Sequence, residues 1–217
     1  MVREAGKRSW RWRWLLMAEL AIVSIVAIGC DAEVPFVLSL QPVYTQLDLE
    51  ADSRLNGMWS DKEGDITFSF EQVTDNREEN QYKYKLVVKE KNGEQEESGE
   101  FEARVVRLGT CYFLDIYPLG RKEGSDFYRL HFTRAHTIAR VEINEDSIQL
   151  AFLSATWLQA KMDEKSVDTP SVKVDDELLL TGTTEEVQEL IFSYANDDEA
   201  FADPVLLERQ PVGKEEQ

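Results

Sequence analysis

Residues 82–93 read YKYKLVVKEKNG, and the alternation in that stretch decides the fold class. Tyr82, Tyr84, Leu86 and Val88 occupy every second place, with Lys83, Lys85 and Lys89 on the other parity. Successive side chains of a strand point to opposite faces, so this pattern predicts a strand with one apolar and one wet face. Asn92-Gly93 then predicts a tight hairpin turn, and Phe101, Ala103 and Val105 continue on the returning strand. Upstream, Ile66, Phe68 and Phe70 alternate with Asp65, Thr67, Ser69 and Glu71. Downstream, Val141 and Ile143, then Ile148, Leu150 and Phe152, flank the polar turn Asn144 to Ser147. Short strands joined by polar turns predict a mainly β chain, an antiparallel meander or a small barrel.

The run Cys111 to Tyr117, CYFLDIY, is apolar on both parities. Tyr112, Leu114 and Ile116 form the richer face and are expected to point to the core. Phe113 then points outward beside Asp115, and something must cover it. The C-terminal third offers two helices. Ser154 can cap one that contains Trp157, Leu158 and Met162. Thr183-Thr184-Glu185-Glu186 is a capping box, followed by Val187, Leu190, Ile191 and Tyr194 at helical spacing. Asp163 to Glu177, charged and interrupted by Pro170, reads as an exposed loop. From Asp203 on the chain reads as an acidic, frayed end.

The other end decides location. Leu15 to Cys30, LLMAELAIVSIVAIGC, is an apolar run preceded by Arg3, Lys7, Arg8, Arg11 and Arg13. A cationic leader, an apolar stretch and a small-residue cleavage site are the layout of an export signal. Trp10, Trp12 and Trp14 read as interfacial residues of that leader. A spanning helix needs about 20 apolar residues, and this run is shorter and interrupted by Glu19. The stretch Ala27-Ile28-Gly29-Cys30 resembles the lipobox of bacterial prolipoproteins. That resemblance implies cleavage before Cys30, which then carries diacylglyceryl and acyl groups that anchor the chain in a membrane of the cell envelope. The body then faces the periplasm or the exterior, and Asp31 favours the inner membrane.

The predicted layout is a signal peptide over 1–29, a lipid-anchored tether over 30–54 and a β-sheet or barrel over 55–153. A helical part packed on the sheet over 154–202 and an acidic tail over 203–217 follow. Within it, Gly57-Met58-Trp59 resembles the Gly-x-Trp of the first strand of lipocalins, where the tryptophan closes one end of an eight-stranded barrel. The wider run Pro42, Tyr44, Asp48, Asp52, Leu55, Gly57 and Trp59 also resembles the opening of small bacterial lipoproteins without assigned function. The lipocalin resemblance implies an arginine laid across Trp59 from the final strands. Arg140 is the candidate, although alternation turns it away from Val141 and Ile143. It also implies a small apolar ligand, for which the aromatic positions Trp59, Phe68, Phe70, Tyr82 and Tyr84 would form the site. The lipocalin threonine-aspartate-tyrosine signature is absent; Leu114-Asp115-Ile116-Tyr117 stands nearest to it.

Of 24 basic and 42 acidic residues the leader holds five and two (Glu4 and Glu19), so 19 and 40 remain after residue 29, a net charge of −21. Nucleic acid and anionic lipid call for the opposite sign. With Cys30 acylated, Cys111 has no second cysteine for an intramolecular disulfide, and reads as a small buried hydrophobe. His131 and His136 fall on no zinc-ligand spacing. Asp52 to Glu63 matches part of a calcium loop, but Arg54 stands where an oxygen ligand is needed. No nucleophile elbow, phosphate loop or dinucleotide fingerprint is present. The expectation is a non-enzymatic, lipid-anchored interaction or structural module without metal or cofactor. The alternative is a lipocalin-like binder of an apolar ligand. Cys30→Ser is expected to leave the exported precursor without acyl chains. Acyl labelling equal to that of the parent chain would remove the basis for the anchor.

Overall fold

The computed structural model describes residues 36–211 apart from 75, 76, 78, 79, 94, 121–133, 175, 176 and 202. The leader, Cys30, Asp31 and His131 lie outside the described residues. The fold class is the one the alternation implies: mainly antiparallel β, with a closed barrel and, among the described residues, two α-helices.

Among the described residues, seven strands in sequence order form an up-and-down meander: β3 (Gly57–Ser60), β4 (Ile66–Gln72), β5 (Lys83–Asn92), β6 (Gln95–Leu108), β7 (Cys111–Pro118), β8 (His136–Ile143) and β9 (Ser147–Phe152). Each pairs antiparallel with the next. The eighth, β12 (Val205–Arg209), inserts antiparallel between β9 and β3 and closes the barrel. Closure matters because an open sheet leaves two rows of unpaired backbone groups. The end read as a frayed acidic tail therefore contains the closing strand. Leu207 and Arg209 point inward from it, and their short alternation was hidden by the acidic residues on either side.

The hairpin predicted at Asn92-Gly93 exists, one residue further along. Asn92 is still paired, with Gln95, and Gly93 takes the left-handed turn conformation at φ +64°. Register wins over turn preference here: Tyr84 opposite Ala103 and Leu86 opposite Phe101 hold the inward parity of both strands.

The barrel wall has an apolar layer on each side. Inside are Leu55, Trp59, Phe68, Phe70, Tyr84, Leu86, Ala103, Val105, Leu114, Ile116, Val141, Ile148, Leu150 and Leu207. Outside, Val106, Leu108, Phe113, Ile138 and Ala151 pack under the C-terminal elements. Those are α1 (Ala155–Asp163) and α2 (Thr184–Ser193), inserted between β9 and β12. Ser154 Oγ accepts the Trp157 N–H at 3.2 Å to start α1. Glu186 Oε2 accepts the Thr183 N–H at 2.8 Å, and Thr183 Oγ1 accepts the Glu186 N–H, to start α2. Phe113 is covered as its parity demands, by the ring of Phe201 at 5.7 Å between centroids. Burial of such a side chain is worth about 1.5–3 kcal/mol.

The segment expected to be a tether is folded onto the barrel from Phe36 on. β1 (Val37–Ser39) pairs antiparallel with β8 and parallel with β11 (Glu177–Leu180), and β10 (Ser171–Val174) extends β11. β2 (Leu49–Glu50) lies along β6. Asp163 to Glu177 is thus not wholly an exposed loop: Ser171 to Val174 is a strand, and Val167 and Thr169 are buried.

The tryptophan end of the barrel is closed by one assembly. A 3-10 turn over Ser53–Leu55 crosses it, and the Trp59 Nε1–H donates to the Leu55 carbonyl at 2.9 Å. The Tyr84 hydroxyl accepts the Asp52 N–H and donates to the Asp52 carbonyl, both at 2.9 Å. The arginine implied by the lipocalin resemblance is present, but it is Arg209. Its guanidinium lies 4.0 Å from the centre of the Trp59 ring system. It also donates to the carbonyls of Asn56 at 2.8 Å and Glu145 at 2.6 Å. Arg140 points outward, as alternation requires; it lies over Phe201 at 5.4 Å and pairs with Asp198 at 2.8 Å. Gly57 explains the rest of the motif. It sits at φ +128°, and a Cβ there would meet Arg209 Nη1 at 2.8 Å.

Arg209→Ala is expected to lower unfolding free energy by roughly 2–4 kcal/mol, through loss of the ring contact and of charged hydrogen bonds. Gly57→Ala should cost about 1–3 kcal/mol from backbone strain, and more as Arg209 is displaced. Urea denaturation followed by tryptophan fluorescence measures both. Parental midpoints for the two variants would show that the plug does not hold the barrel.

Candidate interaction surface

Four of the five aromatic residues expected to line a ligand site converge inside the barrel: Trp59, Phe68, Phe70 and Tyr84 are all buried there. They pack on one another and on aliphatic side chains; the Phe68 and Phe70 rings stack at 6.3 Å. Tyr82 does not join them. It precedes β5, is half-buried and packs on the outer apolar layer. Trp59, Tyr84, Leu86, Leu114, Ile148 and Leu150 are completely enclosed. The half of the interior next to Trp59 is therefore filled by the protein's own side chains, as in small barrels generally.

The open concavities described lie outside the barrel, on either side of the β6–β7 turn. One, of about 280 Å³, is bounded by Asp48, Arg107, Gly109, Gln188 and Phe192. The other, of about 320 Å³, is bounded by Cys111, Tyr112, Arg140, Glu142 and Asn196. Gly109, at φ +63°, brings them together: the Phe192 ring lies 2.8 Å from where a Cβ would stand. That close approach seats the end of α2 on the turn while leaving Phe192 59 % exposed. Leu47, 96 % exposed, stands on the neighbouring approach to β2.

Fixed polar groups frame this aromatic ridge. Gln188 Nε2 donates to the Val43 carbonyl at 3.0 Å and to Asp48 Oδ2 at 2.8 Å. Burial tends to raise the Asp48 carboxyl, but hydrogen bonds from Thr45 and Gln188 outweigh it and hold the group below the usual carboxylate range. Arg107 pairs with Glu50 at 3.2 Å. Cys111 is half-buried beside Asn196, with Sγ 3.4 Å from Oδ1. Exposed aromatic and aliphatic groups inside a polar frame suit a polypeptide contact better than a small-molecule pocket.

A second polar cluster fastens residues 43–48 to the barrel. Buried Asp115 accepts the Val43 N–H at 3.0 Å and pairs with His136 Nδ1 at 2.6 Å. The Tyr117 ring lies 4.5 Å from that of His136. Beside them Glu102 binds Lys83 at 2.5 Å and Arg104 at 2.8 Å. Burial tends to raise Glu102, yet these two cations more than offset it and lower the carboxyl. Cys111 and His136 begin opposite ends of the β7–β8 pair, so they share no site. Among the described residues no group of three His, Cys, Asp or Glu side chains could hold a metal. Comparison with protein families, curated proteins and solved structures finds no match for the chain.

Arg209, Asp115, Gln188 and Phe192 are not marked as site residues by any motif in the sequence. Arg209 alone had a local signal, its shared parity with Leu207; the others acquire partners only through the fold.

Burial pushes the Tyr44 hydroxyl up to about 12, against a pull downward from Arg104. Between the ordinary value near 10 and about 12 the unfolded chain has released a proton that the fold retains. Stability from this group therefore falls as pH rises through that window and is unaffected below it. Burial raises Tyr84 too, so Tyr44→Phe should remove part of the fall. Urea midpoints at pH about 9 and about 11 test this; an unchanged difference would mean that Tyr44 titrates as an ordinary tyrosine.

Proposed function

We propose that this chain is a lipid-anchored protein of the bacterial cell envelope, whose barrel is a non-enzymatic interaction or structural module. The observation that carries the reading is the placement of space. The barrel's interior beside Trp59 is occupied by its own side chains, whereas the concavities beside the β6–β7 turn and α2 are open. The lipobox resemblance supplies the anchor at Cys30, which would hold the body on the periplasmic or outer side of a membrane. The partner would be an envelope protein that seats apolar side chains against Phe192 and Leu47. A body of net charge −21 after residue 29 favours a partner with cationic groups around that contact.

The alternative, carriage of a small apolar ligand, has less support. The five aromatic positions for it are either packed against one another or, for Tyr82, outside the barrel.

A photo-crosslinking residue at Phe192 in growing cells should capture a defined envelope protein, while one at exposed Leu206 on β12 should not. Phe192→Glu should abolish co-purification of that protein with little effect on stability, since an exposed side chain contributes roughly 0.5 kcal/mol or less. No specific capture at low and at moderate salt would argue against the module. A small apolar molecule retained in native mass spectrometry would favour the alternative.

A further inference from the structure

The sheet does not stop at the barrel. β9 covers β8 only from Ala139 to Ile143, and β1 takes the vacated edge at His136 and Thr137. β11 and β10 then continue the sheet outward. The register sets Thr137, Leu38, Leu179 and Val172 in one row across four strands. Thr137 has the parity of Ala139, which faces the barrel interior. The row therefore lies on the surface that continues the barrel's inner face. Val37, Leu178 and Leu180, on the other parity, are buried beneath the helices.

Apart from Glu177, which pairs with Val174, this continuing face is apolar, and its rim is exposed. Phe36 is 41 % exposed, Val172 46 % and Val174 50 %. The Phe36 ring lies 4.7 Å from Phe152, at the end of the barrel opposite the Trp59–Arg209 plug. An apolar lip of this kind marks a surface that meets something apolar.

We infer that this lip rests on the lipid bilayer in which the chain is anchored. The inference rests on the lipid-anchor reading. Phe36 lies six residues beyond Cys30, and a fully extended chain of that length reaches only about 20 Å. An acylated Cys30 therefore holds the lip within about 20 Å of lipid and confines the surfaces that can meet it. Phe36, Leu38, Val172, Val174 and Leu179 bring aromatic and aliphatic groups there, suited to the interface between headgroups and acyl chains. The net charge excludes recruitment by anionic lipid, so contact is apolar and, on uncharged phosphatidylcholine, insensitive to salt. The barrel is held end-on, and the Phe192 surface, at the Trp59 end, points away from the membrane.

The test uses the full chain, lipidated in a bacterial host, with Cys111→Ser and a nitroxide at Val172→Cys or, at the opposite end, Met58→Cys. Each protein is placed in phosphatidylcholine vesicles, and intact mass reports acylation of Cys30. The label at Val172→Cys should show a severalfold higher ratio of oxygen to water-soluble nickel-complex accessibility than that at Met58→Cys, at low and at moderate salt. Equal ratios on a chain of acylated mass would overturn the inference and leave the anchor intact. A chain without acyl mass would overturn both. Matching thermal midpoints for the two labelled proteins establish that the ratios report on folded protein.

Discussion

The guanidinium of Arg209 lying on Trp59 is the contact on which the barrel depends. It joins the first barrel strand to the last, so it is both a packing interaction and the fastening of the cylinder. Stacking on an aromatic face needs the flat, permanently charged group that only arginine supplies. The same group then satisfies carbonyls of the segment before β3 and of the β8–β9 turn. Gly57 is required because a side chain there would occupy the guanidinium's place. The Gly-x-Trp motif is thus one half of a device whose other half lies some 150 residues downstream.

What was legible in the sequence was local. Strand parity in Ile66–Phe70, Tyr82–Val88 and Ile148–Phe152 follows from neighbours two apart, and both helix starts follow from caps within three residues. What was not legible depends on distant partners. Val205–Arg209 is five residues long between acidic neighbours and becomes a strand only because β9 and β3 flank it. β1 has no strand signal of its own, because its pairing comes from β8 and β11, the nearer of them about 100 residues away in sequence. Trp59, Phe68, Phe70 and Tyr84 were identifiable as core aromatics, but alternation cannot say whether such residues surround a space or fill it. Tyr82 shows the limit: it keeps the parity of Tyr84 yet stands before the strand and packs outside. The concavities beside Phe192 arise where a turn near residue 109 meets a helix end near 192, and no periodicity announces that meeting.

The wall formed by β6, β7 and β8 is apolar on both faces, which sets it apart from the rest of the barrel. A sheet with two apolar faces needs two covers. One is the barrel interior; the other is the excursion between β9 and β12 together with residues 36–50. The carboxylates inside this second cover are paired, Asp115 with Val43 and His136 and Glu102 with Lys83 and Arg104, whereas the buried Trp157 Nε1–H has no partner. Buried polar atoms left without partners would cost about 1–3 kcal/mol each, so these pairs fix one seating of the N-terminal segment against alternatives.

The position of β12 has a consequence for the order of folding. Val205–Arg209 follows the other seven barrel strands in the sequence, so until it is in place those seven form a sheet with β3 and β9 as open edges. Contacts between such distant segments form slowly, because a long loop must close before they are made. During that interval the nascent sheet is exposed to pairing with other chains. The seam that closes it is thin, joining β12 to β3 through Glu208–Ser60 and Arg209–Trp59. Loss of Val205–Arg209 would therefore remove the keystone of the cylinder rather than trim a tail.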